Sequence, residues 1–189
     1  GLLDMAKDIN DINLLKRARR DLATIYSIGN FLNDESNPDK LADLILKSIM
    51  KVIKADRAIM LLCLQGSMLQ PIASIGVSKD KVEQAFSRTI VFECFTKKIS
   101  ILTSDAMGDV RFKEGESVMA QHIRSVMCVP LLTQDDILGV IYIDTRDLLN
   151  AFSKYDVELV SAIAKQAGIA IQRAKFMDSL QQLYYGTLR

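Results

Sequence analysis

The side chains through which this chain could do chemistry are one histidine, three cysteines and a short run of carboxylates. A Cys–His or Ser–His nucleophilic pair would have to use His122, and the nearest thiol in sequence is Cys128. Local patterning places His122 at a helix end and Cys128 in mid-strand. A structural or pocket-lining histidine is therefore expected, and no catalytic residue is assigned. Cys63, Cys94 and Cys128 show no close pair and no metal-ligand spacing. Cys63 lies between Leu62 and Leu64, and Cys128 between Met127 and Val129, an apolar setting that opposes thiolate formation. Asp105 and Asp109, with Glu114 and Glu116 beyond, lack the spacing of a cation-binding loop, so no metal ligand is assigned. Turn chemistry is expected instead, with Asp105 accepting backbone N–H groups and Asp109 pairing with Arg111. The nine glycines are scattered and form no phosphate-cradling loop. Phe86, Phe92, Phe95 and Phe112 bracket one stretch, where they could serve both as core and as the lining of an apolar cavity.

The scaffold that must position these groups is bounded by composition. A chain of 189 residues has room for one domain with a sizeable core plus flanking helices. A net charge of +1 predicts no general attraction to nucleic acid or to an anionic membrane. No apolar run approaches the roughly 18 residues needed to span a bilayer. An odd cysteine count in a neutral chain fits a reducing cytoplasm. Gly1 reads as a boundary, with further chain expected upstream.

Residues 122–145 organise the rest. Two apolar runs, 125–133 and 137–144, flank Gln134-Asp135-Asp136 and read as a hairpin. VMCVPLL and GVIYI are apolar on both faces, so both faces should be covered. Pro130 cannot donate a ladder hydrogen bond and Gly139 carries no side chain, which points to a shared irregularity where the two lie nearly opposite. Upstream, residues 57–64 read as a buried strand answered by a strand at 68–75.

Helical patterns flank these strands. A heptad seam of Leu15, Ala18, Leu22, Ile25, Gly29 and Leu32 marks a helix over 14–32, which residues 2–13 extend or leave frayed. A second helix is expected over 39–53, capped by Asn37 with Pro38 in its first turn. A short helix capped by Ser78 is expected over 79–86. Helical spacing in IVFECFTKK precedes a short strand at 100–103, a polar loop at 104–112 and a short helix at 114–121. Ser153 and Asp156 approximate a capping box for a long last helix. That helix shows one stripe at Val157, Val160, Ala164, Ala167, Ile171 and Ala174 and a second at Ile163, Ala170 and Met177. One stripe is expected on its own sheet and the other against something else.

The order of elements, with TSDA at 103–106, DVRF at 109–112, IRSVMCVPL at 123–131, LGVIYID at 138–144 and FSKYD at 152–156, resembles the GAF domain family over about residues 39–174. It looks most like the GAF modules attached to bacterial nucleotide cyclases, histidine kinases, phosphatases and enhancer-dependent transcription activators. The resemblance implies an α+β fold with a mainly antiparallel central sheet. N- and C-terminal helices would cover one face, and short helices with a ligand pocket the other. It further implies a non-enzymatic sensor that binds a small molecule and dimerises through its terminal helices to relay a signal to an output domain. On this reading residues 1–36 form the signalling and dimerisation helix, 37–175 the GAF domain and 176–189 an extension toward that output domain. The candidate pocket residues are Phe92, Phe95, Thr103, Asp105, Asp109, Phe112, His122 and Met127. The candidate dimer residues are Leu15, Ala18, Leu22, Ile25, Ala167, Ile171 and Ala174.

Cyclic-nucleotide-binding members carry an Asn-Lys pair, then Phe, three residues and Asp-Glu. This chain keeps Phe152 and Asp156 but has Val157, with Asp144-Thr145 at the Asn-Lys position, so cyclic nucleotide is one candidate ligand and no cofactor is identified. Bilin-binding members attach chromophore through a Cys beside a helical His, and Gln121 and Ile123 flank His122 here. Two alternatives stand beside the sensor. One is a structural dimerisation or partner-binding domain with a collapsed pocket. The other is a thiol-based methionine sulfoxide reductase of the kind some GAF proteins are.

Overall fold

A computed structural model describes residues 2–64, 68–112, 122–134 and 136–186. Five strands form one antiparallel sheet: β1 (Arg57–Leu64), β2 (Met68–Ile75), β3 (Ile101–Thr103), β4 (Ser125–Leu132) and β5 (Ile137–Thr145), in the order β2-β1-β5-β4-β3. The β4–β5 hairpin lies at the centre and is buried along nearly its whole length, as its two-sided apolar pattern requires. Among the described residues, four α-helices accompany it: α1 (Leu2–Asp34), α2 (Pro38–Val52), α3 (Arg88–Lys97) and α4 (Lys154–Gly186).

Local chemistry sets the helix starts. The Asn37 side chain accepts from the backbone N–H groups of Asp39 and Lys40, with Pro38 at the first helical position. Ser153 and Asp156 form a reciprocal box: the Ser153 N–H and hydroxyl donate to Asp156 Oδ2, and the Asp156 N–H donates to Ser153 Oγ. The helix expected over 79–86 is a single 3-10 turn at Val82–Gln84, and the cap that matters there is Ser87, which accepts from the Ile90 N–H at the start of α3. The helix expected over 114–121 lies outside the described residues, as does Asp135.

The sheet separates two cores by the period-two alternation of its strands. Met60, Leu62, Met127, Val129, Ile141 and Ile143 point to one side, against α2 and α4. Ile59, Leu61, Val126, Cys128, Val140 and Tyr142 point to the other, against α3 and the segments around it. α1 packs on α2 and α4 rather than on the sheet, because its apolar anchors, Ile25, Ile28 and Leu32, meet that helical layer.

Close approaches explain two glycines. Gly139 lies between Leu62 of β1 and Leu131 of β4, and a Cβ there would fall 2.0 Å from the Leu61 carbonyl oxygen. A Cβ at Gly168 of α4 would fall 2.7 Å from the Leu132 carbonyl oxygen, so α4 lies directly on β4. The register of β4 against β5 shifts between Leu131 and Leu132, beside Pro130, which pairs with Val140. β3 pairs only with Val126, Met127 and Cys128, so Pro130 lies where that neighbour has ended and no donor is needed.

α1 and α4 run in the same direction. Arg17 and Asp21 meet Asp156 and Tyr155 at the start of α4, while the Leu32 carbonyl accepts from Arg173, more than four turns further along. The helix before Arg17 therefore projects past one end of the domain, and α4 beyond Ala174 projects past the other. Each overhang is roughly 20 Å long at about 1.5 Å per residue.

Candidate functional site

Behind the sheet's second face, the expected pocket residues divide. Thr103 shares that face with Val126 and Cys128 and is buried. Phe112 is fully enclosed there and Phe95 packs at its margin. Asp105 and Asp109 lie on the 104–112 loop at its rim. His122 is exposed beside it, with φ at 51° in the left-handed region. Two expectations are corrected. Met127 points to the opposite face, because it falls between Val126 and Cys128 and strand side chains alternate. Phe92 is 67% exposed, because Ile90, Val91 and Cys94 turn the inner side of α3 to the core and leave Phe92 outward.

Phe86, Ile90, Phe112, Ile123 and Tyr142 are buried together, with the Phe86 and Tyr142 rings edge-on at 6.2 Å. Two of the grooves lined by described residues lie elsewhere. One, of about 580 Å³, lies between the start of α2 and β2. The other, of about 810 Å³, lies beside α4 where β3 ends, lined by Lys98, Pro130, Leu132 and Lys165 among others.

Three polar side chains cross this apolar layer. Arg57 donates from Nε and Nη2 to the two carboxylate oxygens of Asp144 at 2.8 and 2.6 Å, and the Tyr142 hydroxyl donates to Asp144 Oδ2 at 3.0 Å. Arg57 and Asp144 face each other across β1 and β5 and are 2% and 0% exposed. Burial pushes the Asp144 carboxyl up, against the pull of the guanidinium and the tyrosine. This buried pair occupies the strand end where the cyclic-nucleotide motif would have Asn-Lys. Asp156, the motif's retained carboxylate, turns instead to Arg17 on α1 at 2.6 Å.

The rim is built from loop chemistry. Arg111 grips Asp109 with its backbone N–H and its guanidinium, at 3.0, 3.0 and 2.7 Å. That grip holds the Asp109 carboxyl down at about 2. Asp105 works through its backbone carbonyl, which accepts from Gly108 and Asp109, rather than through its side chain as expected. Its carboxylate lies 3.9 Å from Arg124. Sequence reasoning missed Ser125, a fully buried hydroxyl whose one proton is shared between the Ser104 and Leu148 carbonyls and which accepts from the Ala151 N–H. A lone serine opening an apolar strand was the available signal.

Asp109 carries a pH prediction. Its folded-state pKa is depressed, so its contribution is present above the ordinary carboxylate value near 3.8 and fades as pH falls toward about 2. The urea stability gap between the parent chain and Asp109→Asn should be constant from pH 7 to 5 and shrink between about pH 4 and 2. A gap that stays flat to pH 2 would mean the grip does not exist in solution.

Two of the three thiols lie in an unreactive setting, while Cys63 is partly exposed. Cys94 and Cys128 are fully buried, and burial raises the Cys128 thiol well above its ordinary range. Among the described residues no cluster of three His, Cys, Asp or Glu side chains could hold a metal ion. Nor is any described helix long and apolar enough to cross a membrane.

The sequence profile of the GAF domain, a family of sensory modules in signalling proteins, matches residues 37–171. The chain belongs to the GAF domain family. Its sheet and helices superpose on the GAF domain of a phosphoenolpyruvate-protein phosphotransferase from Coxiella burnetii with a TM-score of 0.71 and 16% identity, over 86% of this chain and 98% of that one. They also superpose on a free methionine-R-sulfoxide reductase from Neisseria meningitidis, solved with its substrate, with a TM-score of 0.67 and 15% identity, over 82% and 89%. In sequence, 83 residues are 23% identical to part of hybrid signal transduction histidine kinase G of Dictyostelium discoideum, covering 44% of this chain and 2% of that protein. The chain thus spans a small fraction of the length of that relative.

The terminal helices of this GAF module correct the expected dimer residues. Ala167, Ile171 and Ala174 are buried in the module's own core, because small side chains beside Gly168 let α4 sit on the sheet. Ile25 also packs partly against that core. Leu15 and Leu22 are exposed at 68% and 67%, and Ala18 is half-buried. On α4 the outward stripe is a different one: Ala162, Ile169, Phe176 and Leu183, seven residues apart and all exposed.

Proposed function

We propose that this GAF module is a non-enzymatic, cytoplasmic sensory element that binds a small molecule and relays its presence through terminal helices paired with those of a second copy. An attached output domain, such as a cyclase, kinase, phosphatase or transcription activator, would read the change. The observation that carries this reading is the pair of exposed apolar stripes on helices that overhang the domain at both ends. Ile12, Leu15, Leu22 and Tyr26 mark the stripe on α1, and Ile169, Phe176 and Leu183 the one on α4. Such stripes at heptad spacing favour helix pairing. The likeness to a histidine kinase supports a signalling context. Neither nucleic acid nor membrane is a partner on this reading. A ligand shifts the helices only if it binds two arrangements with different affinity.

Sedimentation tests the pairing. The chain is expected to be a dimer, and Leu22→Glu combined with Ile169→Glu is expected to weaken it at least about tenfold, or about 1.4 kcal/mol. A parent chain that sediments as a monomer at tens of micromolar would remove the dimer from the proposal.

The burial of Phe86, Ile90, Phe112, Ile123 and Tyr142 together behind the sheet supports a second reading, a dimerisation module with a collapsed pocket. A thermal-shift screen with cyclic nucleotides, purines and amino acids separates the two, since a ligand of the folded state raises the melting temperature by mass action. A thiol reductase is the weakest reading, because two of its three thiols are sealed in the core. Turnover of methionine sulfoxide that is lost in Cys63→Ser or Cys128→Ser would revive it.

A further inference from the structure

We propose that Arg17, Asp21, Tyr155 and Asp156 form a clasp, where α1 crosses the start of α4, that is coupled by a chain of hydrogen bonds to the 104–112 loop, so that loosening either place loosens the other. The idea deepens the relay reading, because the coupling serves signalling only if the terminal helices carry the signal.

The clasp is polar and compact. Arg17 Nη2 donates to Asp156 Oδ1 at 2.6 Å, and the Arg17 guanidinium lies 4.6 Å from the centre of the Tyr155 ring. The Tyr155 hydroxyl donates to Asp21 Oδ2 at 2.8 Å. Asp21 Oδ1 is buried and accepts no hydrogen bond among the described residues, its nearest cation being Arg20 Nε at 3.7 Å. Between residues 9 and 24, Asp21 is the one buried side chain of α1, and apolar anchoring begins only at Ile25 and Ile28. This stretch of α1 is therefore fastened by charge and hydrogen bonds, with Arg17 still 42% exposed. Such contacts are screened by salt and can open without unpacking a core. The unsatisfied Asp21 oxygen further lowers the cost of opening.

From the clasp a continuous set of bonds leads to the rim. Asp156 Oδ2 accepts from the N–H and hydroxyl of Ser153, at the end of the 146–153 segment. That segment is fixed twice to Ser104, the first residue of the rim loop. The Asn150 N–H donates to the Ser104 carbonyl at 3.0 Å. Ser125 Oγ lies 2.9 Å from the same carbonyl and 2.8 Å from the Leu148 carbonyl, with its one proton shared between them, and accepts from the Ala151 N–H at 3.2 Å. Asn150 holds φ at 52°, a left-handed conformation few side chains other than Asn adopt readily. The Ser104 carbonyl is thus a joint shared by the rim loop and the segment that delivers the clasp. A shift at the rim cannot leave that segment where it is without breaking one of these bonds.

Hydrogen–deuterium exchange on the whole chain tests the coupling. Arg17→Met opens the clasp at a surface position, so the fold should survive, with an unchanged urea midpoint as the check. Amide exchange is expected to rise about fivefold or more both in residues 9–24 and in residues 104–112. Ser125→Ala, made from the other end, is expected to raise exchange in residues 9–24, and Arg17→Lys to restore part of the Arg17→Met effect. Lys47→Met removes a surface ion pair of the same kind on α2 and should leave both segments unchanged. Exchange that rises only in α1 after Arg17→Met, or that rises equally after Lys47→Met, overturns the proposal. Should Ser125→Ala fail to fold, the Arg17→Met arm decides alone. Sedimentation of the same samples bears on the relay reading separately. A monomer with coupled exchange keeps the clasp and loses the relay, and a dimer with uncoupled exchange does the reverse.

Discussion

Arg57→Met is expected to destabilise the chain by about 3–5 kcal/mol, because it strands the Asp144 carboxylate in a site with no exposure. Only the Tyr142 hydroxyl would remain of the three donors now bonded to its oxygens. Removing both charges is a different experiment. Arg57→Met with Asp144→Leu replaces the pair by apolar groups of similar reach and is expected to recover most of the loss. The single variant should also show a pH signature. Without the guanidinium, burial drives the Asp144 carboxyl further above its ordinary value. A raised folded-state pKa means the variant is most stable near pH 4 and loses stability as pH rises through that new value. The gap to the parent chain should therefore widen between pH 4 and pH 7, read from urea midpoints by circular dichroism. If the single and double variants lose the same amount, the stranded charge is not the cause.

Gly139→Ala is expected to be nearly as severe, at about 3 kcal/mol or more, from the addition of one carbon atom. The new Cβ would lie 2.0 Å from a carbonyl oxygen of β1, and backbone cannot swing aside as a side chain can. The central strand would have to part from β1 or β4, and the two cores depend on both pairings. Alanine at Gly29, which meets nothing within 4 Å, is the control and should be neutral or slightly stabilising in mid-helix. Equal midpoints for the two variants would mean β1 and β5 are not paired in this register.

The strands and the starts of α2 and α4 were legible because each has a local cause, whereas the start of α3 at Ser87 was not. The apolar run of β1, the two-sided burial of β4 and β5, the Asn37 cap and the Ser153–Asp156 box all follow from neighbouring residues. What the sequence concealed depends on which face of an element meets which neighbour. Met127 stands among the expected pocket residues, and strand alternation turns it to the other face. The alanines of α4 suggested contact with a second helix, whereas they and Gly168 fit the helix to its own sheet, leaving Ile169 and Phe176 outward. Arg57 and Asp144 stand at the ends of apolar runs, where charges usually meet water. Only the pairing of β1 with β5 brings them together, 87 positions apart in the chain. Within the candidate pocket set, the loop residues Asp105 and Asp109 are placed by local turn chemistry, while the direction of Phe92 depends on the rotation of α3.

The two overhangs leave from opposite ends, so in the proposed relay the module would sit in line with a helical rod rather than hang from its side. A rod of α-helix conveys azimuth as well as distance. One residue inserted between Ile12 and Arg17 would turn everything before it by about 100° and move it by about 1.5 Å. Seven would bring it back to within about 20° of its first orientation. A domain joined to either overhang, as the proposed relay requires, would be phased to the sheet by a count of residues, and its tolerance of insertions should repeat with that count.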